Sequence, residues 1–423
     1  MTLLATSQNN PIKLRLDRIN NLLEKLGNPH QKFPIIHVAG TNGKGSVCAY
    51  TSSVLTEAGY RTGRYTSPHL IDWTERICIN ECPISKEEFS QLVDKINDLT
   101  KLDSDKSTIF EVITAAAWLY FAQQKVDIAV IEVGLGGRLD ATNVIDKPLV
   151  SVITSIGKDH WQILGETFRE IAGEKAGILK AGCPAVVGIL PEEAIQVVKS
   201  RTEELKCPVV YPQPSHDIGQ GWAEYINQEP EAKSIKYPLV LQGQVQLANS
   251  ALAIAALEIL RESGWHKITE EAIVNGMAKT KWPGRMQWTT WQNQKLLLDG
   301  AHNPASAKVL RNYVDSLTSN QFNNQSQIAW MMGMLGNKDH REIFEELLRP
   351  SDSLYLLPIP DEKSALTQEL ACLAKEVCPS LSFCGTFPDL PNALEAALAN
   401  PDNLVVLCGS LYLVGHFLKL QNS

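Results

Sequence analysis

The stretch from Phe33 to Ala58 constrains this chain more than any other. Phe33–Ala39 is mostly apolar and reads as a buried strand, and Cys48–Ala58 reads as a helix. Between them stands Gly40-Thr41-Asn42-Gly43-Lys44-Gly45-Ser46. Glycines let backbone N–H groups face an anion with no Cβ in the way, and a helix that follows adds its partial positive charge. Lys44 can then reach outer phosphates, and a hydroxyl can assist Mg²⁺. The run departs from the regular G-x-x-x-x-G-K-[ST] pattern: Val38 stands where the first glycine would fall, and Gly45 follows Lys44. A Gly-rich turn with a solvated lysine is the plainer reading of the same residues.

Further strand signals stand at Ile128–Val133, Leu149–Thr154 and Ala185–Val187. Helical spacing at Glu87–Leu99, Val112–Gln124 and Phe168–Leu179 precedes and separates them. The alternation predicts an α/β fold with a P-loop-type, mostly parallel sheet covered on both faces. Ile12, Leu16, Ile19, Leu23 and Leu26 predict a first helix, stopped by Gly27-Asn28. Thr202–Lys236, polar and rich in Pro and Gly, is expected to give strands at the sheet edge plus loops, and Leu247–Glu262 a helix. Trp282-Pro283-Gly284-Arg285 then punctuates the pattern. After it, strands at Lys295–Leu298, Gln327–Met332, Leu354–Leu357 and Leu404–Leu407 predict a smaller Rossmann-like α/β domain. A chain of 423 residues is long for one core. Domains are expected at 1–285 and 286–423.

A formal net charge of −8 argues against nucleic acid as the main partner. It leaves small anions open, because local lysines and backbone N–H groups override net charge. No apolar run reaches the roughly 18 residues of a membrane span. Met1–Pro11 is polar and lacks the apolar centre of a signal peptide. Nine scattered cysteines with no CxxC pair read as reduced thiols. A cytoplasmic protein is the expectation.

Ala39–Ser46 (AGTNGKGS) resembles the nucleotide loop of the folylpolyglutamate synthase and dihydrofolate synthase family, ATP-dependent amide ligases grouped with the Mur ligases. Arg64–Leu70, Thr108–Trp118, Glu132–Asn143, Ile153–Gly165, Glu174–Lys180, Trp282–Gln287, Leu298–Pro304 and Gly409–Gly415 are similar to further family motifs, in family order and over nearly the whole chain. GGRLDATN and DGAHNP point to the folate branch.

The resemblance implies ATP-dependent ligation of L-glutamate to folates through an acyl phosphate, with dihydropteroate as a second acceptor. It implies that Gly40, Thr41, Asn42, Gly43, Lys44, Gly45, Ser46, Asn249, Arg285, Asp299 and His302 contact ATP. Ser67, Glu132 and His160 would hold Mg²⁺, and a carbamylated Lys175 would bridge to a second Mg²⁺. Lys44, Lys175 and His302 would be catalytic. Pro11, Ile12, Lys13, Leu14, Thr108, Ile109, Phe110, Glu111, Leu139, Asp140 and Ala141 would line the pterin site, with Arg138 meeting the substrate carboxylate. Arg15 stands where family members often have Gly. The implied partners are small molecules, with no nucleic acid and no membrane, and the implied state is a monomer.

Plain readings stand beside these. Ser67 before Pro68 suits a turn. A lone His160 is ordinarily structural, and imidazole is an unusual ligand for Mg²⁺. Lys175 could pair with a carboxylate one helical turn away. Phe110 could be core packing, Arg138 a salt bridge, and His302-Asn303-Pro304 a helix N-cap. Two other functions share parts of the pattern: a Mur-type UDP-sugar peptide ligase, and a nucleotide-binding module without ligase activity.

Overall fold

A computed structural model describes residues 14–103, 105–227, 234–320 and 327–422, so Pro11, Ile12 and Lys13 lie outside the described residues. The chain divides into two compact units. The first holds Met1–Pro68, Trp73–Val240 and Gln246–Lys281; the second holds His69–Asp72, Leu241–Val245 and Trp282–Ser423.

The first unit is built on β1 (Ile35–Ala39), β2 (Thr62–Tyr65), β3 (Ile77–Ile79), β4 (Cys82–Pro83), β5 (Ile128–Glu132), β6 (Val150–Ile153), β7 (Ala185–Val187) and β8 (Val209–Val210). Their order in the sheet is β4-β3-β2-β5-β1-β6-β7-β8. From β2 to β8 the pairing is parallel; β3 and β4 add an antiparallel edge. Every residue of β1, β5 and β6 is buried. Strands covered on both faces read as near-continuous apolar runs; the polar exceptions inside them are bonded, His37 to Thr142 Oγ1 and Ser151 to the Ile178 carbonyl. One face carries the Ile109–Gln123 helix, whose Trp118 and Phe121 join Ile35, Ala129 and Ile131 in a single core. That helix opens with a capping box: Thr108 accepts from the Glu111 backbone N–H, and the Glu111 carboxylate accepts from the Thr108 N–H. A second core gathers Ile153, Ile171, Val187 and Val198.

The register aligns Val38 of β1 with Glu132 of β5 and with Val152 of β6. Three carboxyl ends therefore finish side by side. In open α/β sheets that edge is where ligands sit.

The expectation for Thr202–Lys236 is corrected. Only β8 lies at the edge of the large sheet. β9 (His216–Gly219), β10 (Trp222–Tyr225) and β11 (Ile235–Pro238) form a separate antiparallel sheet. It is fastened to the Val245–Glu262 helix by the buried Tyr237, whose hydroxyl lies 2.6 Å from Ser250 Oγ and 2.7 Å from Ser215 Oγ. The first helix covers Asp17–Lys25 and is shorter than the spacing from Ile12 suggests.

In the second unit β12 (Gln287–Trp291), β13 (Gln294–Leu298), β14 (Ile328–Met332), β15 (Ser353–Leu356), β16 (Phe383–Thr386) and β17 (Leu404–Cys408) run in the order β12-β13-β17-β14-β15-β16. All pairs are parallel except β12 with β13. Cores lie on both faces, one around Leu297, Trp330 and Phe344, the other around Leu298, Met331 and Phe417. All nine cysteines are free thiols. Among the described residues no helix is long and apolar enough to cross a membrane.

The second unit is locked by a buried ion pair. Arg311 Nη1 donates to Asp352 Oδ2 at 2.5 Å, and the same oxygen accepts from Trp330 Nε1 at 2.9 Å and the Arg349 N–H at 3.0 Å. Removing Asp352 leaves the buried Arg311 with only the half-exposed Asp315, at 2.8 Å, as ion-pair partner among the described residues, and takes the acceptor from Trp330 Nε1 and the Arg349 N–H. Asp352→Ala is expected to lower unfolding stability by about 3–5 kcal/mol, read as a lower urea midpoint; a midpoint equal to wild type would contradict this role.

Candidate nucleotide and acid-activation site

The loop after β1 is braced chiefly by the chain that follows β6. Thr41 N–H donates to the Ser155 carbonyl at 2.7 Å, and Asn42 N–H donates to Ser155 Oγ at 3.0 Å. Thr154 Oγ1 and Ser155 Oγ both lie within bonding distance of the Asn42 carbonyl, at 2.6 and 2.9 Å. The Thr41 hydroxyl donates to the Gly157 carbonyl and accepts from its N–H. Gly40 has room only for hydrogen, since a Cβ there would collide with Thr154 Oγ1. Gly43 adopts φ 88°, the left-handed conformation glycine takes without penalty, and caps the Lys44–Glu57 helix. Its Cα faces Asn249 Oδ1 closely enough that a side chain would strike it. The structure thus joins Gly40–Ser46 and Asn249 in one place. Thr154, Ser155 and Gly157 lie in Ile153–Gly165, where the sequence assigns a role to His160 alone.

Two lysines converge on this loop. Lys44 Nζ donates to the Gly40 and Thr41 carbonyls at 3.1 Å each, and Lys175 Nζ donates to the Gly40 carbonyl at 2.9 Å. Lys175 lies in the last turn of the Phe168–Ala176 helix and is buried. Burial first, and the neighbouring Lys44 charge second, bring its pKa down to about 7, against the pull of Asp159 and Asp140. A lysine near half-deprotonation at neutral pH is a nucleophilic amine.

Glu132 ends β5 as a buried carboxylate, and its Oε2 accepts from the Ser67 N–H at 3.1 Å. The structure therefore brings Ser67 and Glu132 together. His160 stands in the left-handed region at φ 53°, an uncommon place for a residue with a side chain. Its ring Nε2 lies 3.8 Å from Asp159 Oδ1. Among the described residues no three His, Cys, Asp or Glu side chains gather closely enough to hold a metal ion. One carboxylate and one hydroxyl, both hard oxygen donors, fit a cation that keeps much of its water, as Mg²⁺ does.

The Gly134–Ala141 turn is organised by Asp140, which is buried. Its Oδ2 accepts from the Leu135 N–H at 2.8 Å; its Oδ1 accepts from the Thr142 N–H at 3.0 Å and hydroxyl at 2.6 Å. Thr142 in turn meets His37 Nε2 at 2.9 Å. Burial holds His37 neutral, with a pKa of about 3. Phe110 lies over the Gly134 backbone, where any Cβ would collide with its ring. Arg138 is exposed and pairs with Glu174 Oε1 at 2.8 Å. Glu111 is buried and accepts from Arg18 Nε at 3.0 Å. Arg15 pairs with Asp105 and, at 3.4 Å, with Asp17. Leu14 packs against the second core, Ile109 is partly buried, Ala141 is buried and Leu139 half-buried.

Within the second unit, Arg285, Asp299 and His302 are neighbours. Asp299 accepts from the Met286 N–H at 2.9 Å and the Ala301 N–H at 2.8 Å. Burial raises its pKa, and the Arg285 charge beside it works the other way. His302 Nδ1 lies 2.7 Å from the Gly300 carbonyl. Asn303 Oδ1 accepts from the Ser306 N–H at 2.9 Å, capping the Pro304–Asn320 helix.

Residues 38–257 match the Mur ligase middle domain, and residues 285–420 match the dihydrofolate synthetase C-terminal domain. The chain is 35% identical over 421 residues to the dihydrofolate synthase/folylpolyglutamate synthase of Bacillus subtilis, covering 96% of this chain and 95% of that one. The solved structure of E. coli FolC in complex with DHPP and ADP is similar with a TM-score of 0.83 at 30% identity, covering 100% of this chain and 97% of the other. A bifunctional folylpolyglutamate synthase/dihydrofolate synthase from Yersinia pestis, complexed with AMPPNP and Mn ion, is similar with a TM-score of 0.82 at 30% identity over 100% and 97% of the two chains. The strand order, the loop after β1 and these matches agree: the chain belongs to the dihydrofolate synthase/folylpolyglutamate synthase family of ATP-dependent ligases.

Proposed function

We propose that this chain uses ATP to join L-glutamate to folates, lengthening tetrahydrofolate tails and also converting dihydropteroate to dihydrofolate. The observation that carries this reading is the braced Gly40–Ser46 loop with Lys44 upon it, beside the buried carboxylate of Glu132. The names of its relatives supply the acceptor: one carries both activities, and another holds ADP together with DHPP.

A carboxylate resists attack by an amine because its leaving group would be oxide. Transfer of the terminal phosphoryl group to a carboxylate oxygen replaces oxide with phosphate. The glutamate ammonium first gives up a proton; its neutral nitrogen attacks the acyl carbon, the acyl C–O bond to phosphate breaks, and a second nitrogen proton leaves as the amide forms. Positioning and charge stabilisation dominate such transfers. Lys44 supplies positive charge at the outer phosphates, and the loop N–H groups hold the chain of phosphates in line. Asn249 in the first unit is read as a nucleotide contact beside Gly43, and Arg285, Asp299 and His302 are each read as nucleotide contacts on the strength of the family resemblance. Glu132 and Ser67 would hold Mg²⁺, with His160 as a third donor. When bound, the cation neutralises phosphoryl charge.

Lys175 is read as a carbamate that serves a second Mg²⁺. Its amine nitrogen forms a bond to the carbon of CO₂ and releases a proton, turning a cation into an anion. The pKa of about 7 supports this, because only the neutral amine reacts. Leu14, Thr108, Ile109, Phe110, Glu111, Leu139, Asp140 and Ala141 are read as the pterin side of the site, and Arg138 as a contact of the substrate carboxylate. For Arg138 this means leaving or sharing Glu174.

Lys44→Ala is expected to cut glutamate-dependent ADP formation by about 10²–10³-fold or more, measured in a coupled assay with a reduced folate. Near-normal turnover would remove the phosphate-loop assignment. For Lys175 the sign follows from its lowered pKa. The neutral, CO₂-reactive form prevails above pH 7 and is lost as pH falls through that value. Protein freed of CO₂ is expected to lose activity most at pH 6 and regain it with bicarbonate near pH 8, with a ¹³C carbamate resonance appearing from labelled bicarbonate. Full activity without CO₂ at both pH values, and no such resonance, would discard the carbamate.

A further inference from the structure

Gln246 is the second residue of the Val245–Glu262 helix, and its side chain is buried. Its Nε2 donates to Ser46 Oγ at 3.4 Å, and its Oε1 accepts from Asn249 Nδ2 at 3.1 Å. Asn249 lies one helical turn further on, and its Oδ1 is pressed against Gly43. One amide therefore reaches both flanks of the phosphate loop: the Ser46 hydroxyl directly, and Gly43 through Asn249. The arrangement uses both halves of the amide. Donating to Ser46 Oγ leaves the serine proton free to point elsewhere. Accepting from Asn249 Nδ2 fixes which way that amide is turned, so its oxygen and not its nitrogen meets Gly43. An apolar residue would leave two buried polar groups without these partners, which costs more than the bonds themselves contribute.

We propose that Gln246 is a positioning residue for nucleotide binding, setting the Ser46 hydroxyl and the Asn249 amide in the orientation that receives phosphates. The proposal rests on the nucleotide reading of Gly40–Ser46. It assigns a role to a side chain that the loop motif does not include and that only the first turn of a distant helix brings into place.

The test is ADP binding by calorimetry, beside steady-state kinetics with each substrate varied. Gln246→Met keeps length and volume and loses both bonds. It is expected to weaken ADP binding and raise the KM for ATP by roughly tenfold, while the KM for folate and for glutamate stays within about twofold. In a cycle with Asn249→Ala, the two changes are expected to be non-additive, because one acts through the other. Wild-type ADP affinity in a folded Gln246→Met protein, or strict additivity in the cycle, overturns the proposal. Should the methionine variant fail to fold, Gln246→Asn draws the amide back by one methylene and decides the matter. Weakened ADP binding supports the role, and unchanged binding overturns it. Wild-type protein that binds ADP yet never lengthens a folate refutes the ligase reading alone. Wild-type protein that binds no ADP sinks both.

Discussion

Two lysine ammonium groups converge on one backbone oxygen, the carbonyl of Gly40, and much of the first unit follows from holding them there. Like charges in a buried place repel more strongly than in water. Burial first, and the Lys44 charge second, bring the Lys175 pKa down to about 7, while Lys44 Nζ also donates to the Thr41 carbonyl. The loop cannot move aside, because hydroxyls from Thr154 and Ser155 grip the Asn42 carbonyl and Gly40 has Thr154 Oγ1 where a side chain would be. A braced loop that runs straight into a helix N-terminus, with positive charge beside it, is suited to phosphates, which arrive with charge of the opposite sign.

The surrounding turns share one building device. Asp140 in the first unit and Asp299 in the second are buried carboxylates that accept backbone N–H groups on both oxygens: Asp140 from Leu135 and Thr142 of its own turn, Asp299 from Ala301 of its own turn and from Met286 before β12. Burial pushes both pKa values up, and those N–H bonds pull them down. A carboxylate held this way acts as an internal strut for a turn that no helix or strand supports. The family resemblance places Asp140 at the pterin; its bonds in the structure shape the Gly134–Ala141 turn.

How much of this was legible depends on how far each signal reaches along the chain. The strand before Gly40, the loop and the helix after it are contiguous, so a reader of sequence sees them together. Glu132 was legible as well, at the end of an unbroken apolar strand. The strand β2 was not: Thr62-Gly63-Arg64-Tyr65 has no apolar run, and its burial comes from neighbours on both sides. For Thr202–Lys236 the sequence suggests sheet-edge strands and loops, and a polar, weakly patterned stretch does not show that β9–β11 pair into a sheet of their own. Gln246 and the hydroxyls of Thr154 and Ser155 carry no signal of function in sequence, since their partners lie about 110–200 residues away in the chain. Family likeness names Ser67 and Glu132 only as expected metal ligands; the bond between the Ser67 N–H and Glu132 Oε2 follows from no spacing rule.

The central claim is that ATP activates the acceptor acid by phosphorylating it, and oxygen tracing tests this most directly. A folate labelled with ¹⁸O in its reacting carboxylate is incubated with ATP, glutamate and the protein, and the released inorganic phosphate is examined by mass spectrometry. The account predicts one ¹⁸O atom in each phosphate, carried over when the acyl carbon–oxygen bond breaks. Lengthened folate accompanied by unlabelled phosphate would contradict it.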